Sequence, residues 1–143
     1  MFQLHPQLHQ DSSLIGHLAG CQVRLHHDSR YPWLILIPEC DGIREIHQLP
    51  QPLRQDTLAA SCDLAELMQQ TLQADKMNVA ALGNMVPQLH IHHIARFEGD
   101  DAWPAPIWGA LPAQLYPQTL LQAAIQDWRR RLNVLPSFLA AEE

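Results

Sequence analysis

An α+β fold is predicted for this chain by three features. Strand-sized apolar runs precede a long helical stripe, two further strand patterns flank a Gly-Asn turn, and a second helical stripe lies near the C-terminus. At 143 residues the chain is about one domain long, enough to bury a core without disulfides.

The elements follow in order. Residues 1–12 read as a flexible lead-in. "SLIGHLAGCQVRL" is of mixed character, a helical turn running into a strand. "HHDSRYP" is a turn, because Asp28 and Ser29 can bond their own backbone and Pro32 forces an extended neighbour. "WLILIP" is continuously apolar and too short for a helix, the pattern of a central strand buried on both faces. "ECDGIREIHQLPQP" is a connection. From about Pro52 to Ala74, Leu53, Leu58, Leu64, Leu67, Met68 and Leu72 fit one helical stripe, with Pro52 suited to a first turn. "KMNVAAL" and "MVPQLHIHHIARF" are strands about the turn at Gly83-Asn84, positioned to pair antiparallel, with Pro87 tolerated near a strand start. Residues 98–143 form a C-terminal extension: a Pro-rich irregular segment, then a helix from about Pro117 to Leu132 carrying Leu120, Leu121, Ala124, Ile125 and Trp128 on its apolar side.

Composition removes several function classes. A net charge of −6 argues against duplex binding, which needs clustered Lys and Arg at phosphates. The one basic cluster, Arg129 to Arg131, falls where it complements a helix C-terminus. A single nucleotide stays open as a ligand, since backbone N–H groups and neutral donors can hold it. No apolar run approaches the roughly 20 residues of a membrane span, and the N-terminus lacks the basic start and cleavage site of a signal peptide. Cys21, Cys40 and Cys62, without C-x-x-C spacing, suggest reduced thiols and a cytoplasmic setting.

The stretch "QLHIHHIAR" carries the chemistry. On a regular strand Gln88, His90 and His92 share one face, while Leu89, Ile91 and His93 share the other. The imidazoles can decorate a solvated face, or supply two ligands to a zinc or iron site with a third from Glu98, Asp100 or Asp101. They can equally include a neutral nucleophile, since an unperturbed histidine with a pKa near 6.5 is largely unprotonated at neutral pH. The local pattern leaves all three readings open. His93 is expected to be a partly buried structural residue. His26, His27 and His47 are expected at the surface. Trp103 and Trp108 either line a base pocket, close a dimer interface or anchor the Pro-rich segment.

The longer stretch "MNVAALGNMVPQLHIHHIARF" resembles the histidine-triad (HIT) superfamily of nucleotide hydrolases and transferases, in a bacterial-type form. Asn78 stands at the family's Asn-bearing strand, Gly83-Asn84-Met85-Val86 at its Gly-Gln-x-Val turn, and Ala95-Arg96 at its Pro-Arg position. Gln88, His90 and His92 occupy the triad, and "YPWLILIPE" with "IREIHQL" matches the earlier strand and the start of the helix. Gln88 takes the place of the first triad histidine and Asn84 that of the turn's Gln. The loop between Asn78 and Gly83 is shorter than usual, and "ECDG" stands where a histidine commonly follows the "IP" strand.

The resemblance implies a five-stranded antiparallel sheet with a long helix after the early strands and a C-terminal helix, and a homodimer that continues the sheet. It implies attack by His90 on the α-phosphorus of a nucleotide conjugate, of the dinucleoside polyphosphate or phosphoramidate type, through a nucleotidyl-histidine. A backbone carbonyl of the same strand would orient His90. His92 would contact the phosphate, Gln88 and Asn84 would position it, and Asn78 would belong to the substrate-binding set. Arg96 would be either a site residue or a surface or dimer residue. No metal or other cofactor is called for, and neither nucleic acid nor membrane is an expected partner. The alternative is a module of the same fold that binds nucleotide with little or no turnover.

Overall fold

A computed structural model describes residues 1–142. Its elements are helix α1 (Pro6–Asp11), strands β1 (Ser12–Leu18), β2 (Cys21–His26) and β3 (Trp33–Pro38), helix α2 (Leu53–Leu72), strands β4 (Lys76–Ala80) and β5 (Ile91–Arg96), helix α3 (Gln118–Leu132) and strand β6 (Phe138–Ala140). The strands form one antiparallel sheet in the order β4-β5-β3-β2-β1-β6. The α+β class and the HIT-like arrangement of an antiparallel sheet with helices are both present.

Six strands stand where five were expected. The added one is β6, whose residues pair with β1 as Gly16↔Ala140, His17↔Leu139 and Leu18↔Phe138. Gly16 permits this contact: a Cβ there would sit 2.4 Å from the Leu139 carbonyl oxygen and 2.7 Å from the Phe138 ring. The helical turn expected at the opening of the segment from Ser13 is also replaced, since α1 has already ended at Asp11. Residues 12–26 form a β1–β2 hairpin whose two-residue turn, Ala19-Gly20, has φ of 51° and 81°, the positive values such a turn requires. Alanine at the first turn position masks the usual Asn-Gly or Asp-Gly signature.

Strand β3 is central and buried at every position. On one face α2 lies across β3, β4 and β5, and α3 packs on β1. Leu34, Leu36, Ile91, Leu64, Met68, Ile125 and Trp128 share this core. The face of α2 that packs inward is Thr57, Ala60, Leu64, Leu67 and Met68, whereas Leu58, expected in the stripe, is 45% exposed. Arg129, Arg130 and Arg131 do fall in the last turn of α3.

The opposite face carries a second core of Leu8, Tyr31, Trp33, Ile35, Ile37, Ile94 and Ile107. Residues 1–12, expected to be loose, supply Leu8 from α1, with Phe2 and Leu4 packed against this core. The Pro-rich stretch supplies Ile107 and Trp108. Both faces of β3 are therefore covered, which explains its unbroken apolar sequence.

Arg96 fastens the Pro-rich stretch to the sheet and lies neither at the surface nor in a free edge. Its guanidinium grips Asp100 through Nε–Oδ2 at 2.7 Å and Nη2–Oδ1 at 3.0 Å, and donates to the Ala105 carbonyl at 2.8 Å. It lies over the rings of Tyr31 and Trp103 at 5.8 and 5.7 Å, and its side chain is 2% exposed. Arg96 in turn holds the Asp100 carboxyl down to about 2. That pair removes Asp100 from the candidate metal ligands.

Candidate active site

Strand β5 begins at Ile91, three residues later than Gln88, because the chain from Gly83 to His90 leaves the ladder with β4. Side-chain alternation nonetheless continues through the preceding residues. Leu89, Ile91 and Ala95 belong to the helix-side core, and Leu89 is held by its N–H on the Ile43 carbonyl at 2.9 Å. His93 shares that side: it is fully buried, donates from Nδ1 to the Ile91 carbonyl at 3.1 Å and receives the Ser61 hydroxyl at Nε2 at 2.7 Å. It is a core histidine with both nitrogens matched, and burial pushes its pKa down to about 4.

His90 and His92 face the other way, their rings edge-to-face with centroids 4.9 Å apart. Hydrogen bonds assign their tautomers. His90 Nδ1 lies 2.6 Å from the Gln88 backbone carbonyl, which can only accept, so Nδ1 carries the proton and Nε2 carries the lone pair. His92 Nδ1 receives the Trp33 indole N–H at 2.9 Å, so the His92 proton sits on Nε2. One ring thus offers a nucleophilic nitrogen and its neighbour a hydrogen-bond donor. Burial is the largest cause that lowers the pKa of both; His92 also feels His90, His26 and His93 and falls to about 3. Both rings are neutral at neutral pH.

The two histidines line a cavity of about 410 Å³ with Trp33, His26, Trp108 and the turn from Leu82 to Val86. The volume and apolar walls suit a small ligand with few polar contacts. Trp33 is the hub of an aromatic wall: His26 stacks on it at 3.7 Å and 9°, and Trp108 meets it edge-on at 6.3 Å. His26 is therefore no surface histidine. Its Nδ1 accepts the Asp28 N–H at 3.1 Å, and burial lowers its pKa to about 4. His27 is half-buried on Ser13 at 2.8 Å, while His47 is exposed as expected.

Asn84 lines this cavity through the Gly83 turn, where φ is 70°. Gln88 and Asn78 do not line it. The Gln88 side-chain oxygen accepts the His5 N–H at 2.9 Å, and its amide donates to the Gln3 carbonyl at 2.9 Å. The Asn78 side-chain oxygen receives Arg96 Nη1 at 2.9 Å. His90, His92 and Asn84 are thus brought together, while Gln88 and Asn78 brace the frame around them. Trp33 and His26 were missed as site residues. A buried indole N–H needs an acceptor, and "WLILIP" contains no polar side chain to supply one, so a polar neighbour on an adjacent strand was the available signal.

A larger hollow of about 870 Å³ is lined by Arg24, Arg129, His9 and His27. Arg24 bonds Ser12 and Gln22, and Arg129 bonds the Leu14 and Ile15 carbonyls, so these guanidinium groups serve the fold there. Among the described residues no group of three or more His, Cys, Asp or Glu is placed to hold a metal ion.

A neutral nucleophilic imidazole beside a neutral donor, on an antiparallel sheet, defines a class of site suited to group transfer at an electrophilic centre. The HIT domain family model matches residues 7–99. Solved structures agree. A histidine triad protein from Marinobacter aquaeolei is 46% identical, with a TM-score of 0.89 over 94% of this chain and 98% of that one. One from Bradyrhizobium japonicum is 37% identical, with a TM-score of 0.85 over 91% and 97%. One from Sinorhizobium meliloti is 36% identical, with a TM-score of 0.86 over 94% and 96%. No curated protein matches significantly. The chain belongs to the HIT domain family, whose members are nucleotide hydrolases or transferases. Among the described residues no helix is long and apolar enough to cross a membrane.

Proposed function

We propose that the chain is a nucleotide hydrolase or nucleotidyl transferase acting at the α-phosphorus of a nucleotide ester, anhydride or phosphoramidate. The observation that carries this reading is the 2.6 Å contact of His90 Nδ1 with the Gln88 carbonyl, which leaves Nε2 unprotonated in the cavity. Attack forms an Nε2–P bond as the bond to the leaving group breaks with its electron pair. The ring then becomes cationic, and the carbonyl at Nδ1 stabilises that charge. Water attacks the phosphorus next, releases the nucleoside monophosphate and returns the lone pair to Nε2.

His92 Nε2–H and the Asn84 amide are the side-chain donors for the phosphoryl oxygens. Gln88 serves through its carbonyl, with its side chain turned to residues 3 and 5, and Asn78 serves by bracing Arg96. Trp108 and Trp33 form the wall against which a nucleobase rests. The scheme assigns no step to a metal, to nucleic acid or to a membrane. In the cytoplasm, the setting its three free thiols fit, the protein would be a homodimer joined along the β4 edge, where Val79 is 49% exposed.

One observation favours a binding module instead: the Gln88 side chain is turned to the backbone of residues 3 and 5 and does not line the cavity, so no first triad imidazole serves the reaction. Turnover of adenosine and guanosine dinucleotides and phosphoramidates, with and without chelator, separates the two. The enzyme reading predicts chelator-insensitive release of nucleoside monophosphate, abolished in His90→Ala. Binding of nucleoside monophosphate without turnover across the panel would leave the binding module.

A further inference from the structure

Transfer to His90 leaves one side of the reaction without an assigned group, the side from which the leaving group departs. The position of the N-terminal segment bears on this. The Gln88 side chain clasps the backbone at residues 3 and 5, and the Gln88 carbonyl orients His90, so one residue ties His5 to the nucleophile. Half-buried His5 accepts the Gln7 N–H at Nδ1, 3.0 Å away, which places its ring proton on Nε2. His5, Gln7 and Asp11 line a hollow of about 410 Å³ whose remaining wall is Met85 and Val86, and these two residues also line the cavity of His90. The two hollows therefore lie side by side, with Met85 and Val86 of the turn that carries Asn84 as their shared wall.

We propose that the N-terminal segment forms the leaving-group side of the site, with His5 Nε2–H donating a hydrogen bond to the atom that departs from the α-phosphorus. This deepens the nucleotidyl-transfer reading and rests on it. As the His90 Nε2–P bond forms, the pair of the breaking P–O or P–N bond collects on the departing atom. The His5 donor stabilises that charge and keeps its own proton, because Nδ1 is already occupied as an acceptor. Water supplies the proton that the departing atom finally takes.

The test compares two adenosine 5′-phosphate esters, one with an alkyl alcohol and one with p-nitrophenol. Nitrophenolate departs without help, whereas an alkoxide needs a donor. Loss of one hydrogen bond to developing charge is expected to lower kcat/KM about tenfold on the alkyl ester, with a severalfold smaller loss on the nitrophenyl ester. His5→Ser is the decisive variant, because serine keeps a cap on the Gln7 N–H while removing the Nε2 donor. Gln88→Leu, which opens the clasp, is expected to show the same preference for the alkyl ester, and adding His5→Ser to it should cost nothing more. Equal losses on both esters, or a wild-type rate in His5→Ser, would overturn the inference and leave His5 as a helix cap. Wild-type protein that binds adenosine monophosphate but turns over neither ester would overturn the nucleotidyl-transfer reading itself. Wild-type turnover with an indifferent His5→Ser overturns only the role of His5.

Discussion

The Trp33 indole N–H donates to His92 Nδ1 at 2.9 Å, across the β3–β5 ladder in which Ile35 faces His92. This contact decides what His92 can do, since only with Nδ1 occupied does the Nε2 proton point to a ligand. Trp33→Phe keeps most of the apolar wall and removes the donor. It is expected to lower kcat/KM on a nucleotide conjugate by about ten- to a hundredfold, less than the roughly hundred- to thousandfold cost of removing a preorganised donor outright, because His92 itself remains. Nitrogen shifts of the His92 ring should report a shift of the tautomer toward Nδ1–H. An unchanged tautomer with unchanged kinetics would show that the indole serves only packing.

The acid limb of activity should sit low. His90 must be neutral to attack, and burial lowers its pKa below the ordinary 6.5. The logarithm of kcat/KM against pH is expected to stay flat through 6.5 and to fall with unit slope only at lower pH. A limb centred at or above 6.5 would mean that His90 is not the group being titrated.

Stability should also fall in mild acid. His93, with its pKa lowered from 6.5 to about 4, is neutral in the folded core and takes up a proton only after unfolding. Between pH 6.5 and about 4 the unfolded chain binds more protons, so stability falls as pH drops, by at most roughly 3 kcal/mol from this residue. Above pH 6.5 the contribution is complete. Denaturant melts from pH 7.5 to 4 check this. His93→Gln should flatten the dependence, although it is less stable at neutral pH.

Arg96 should matter more for architecture than for chemistry. Arg96→Lys cannot grip Asp100 with two parallel bonds while reaching Ala105 and Asn78. Because the pair is buried, a loss of about 2–4 kcal/mol is expected. Loosening of residues 100–109 should accompany it, read as faster amide exchange in that stretch.

The β4 edge gives a test of assembly. Val79→Lys places a charge on the exposed edge strand, a change that blocks strand-to-strand pairing. Sedimentation is expected to shift from dimer to monomer with the fold retained.

Much of the sheet was legible because its strands carry short-range patterns. "WLILIP" reads as buried on both faces and is, and the β4–β5 pair follows from two strand patterns about Gly83-Asn84. β6 was hidden because its partner site depends on Gly16, a glycine whose purpose appears only when Phe138 packs on it. Alternation alone put His90 and His92 on one face, while their separate roles came from the resemblance. Trp33 and His26 were not legible, since each reaches the site through contacts between elements distant in sequence. For Gln88, alternation identified the face, but the side chain turned to whatever acceptor and donor lay nearest, the backbone of residues 3 and 5.

The most direct measurement of the central claim is rapid-quench mass spectrometry of the protein mixed with an adenosine phosphoramidate. The account predicts a transient adenylyl adduct on the peptide containing His90, lost in His90→Ala and retained with chelator. An adduct on another residue, or steady turnover without any covalent intermediate, would contradict it.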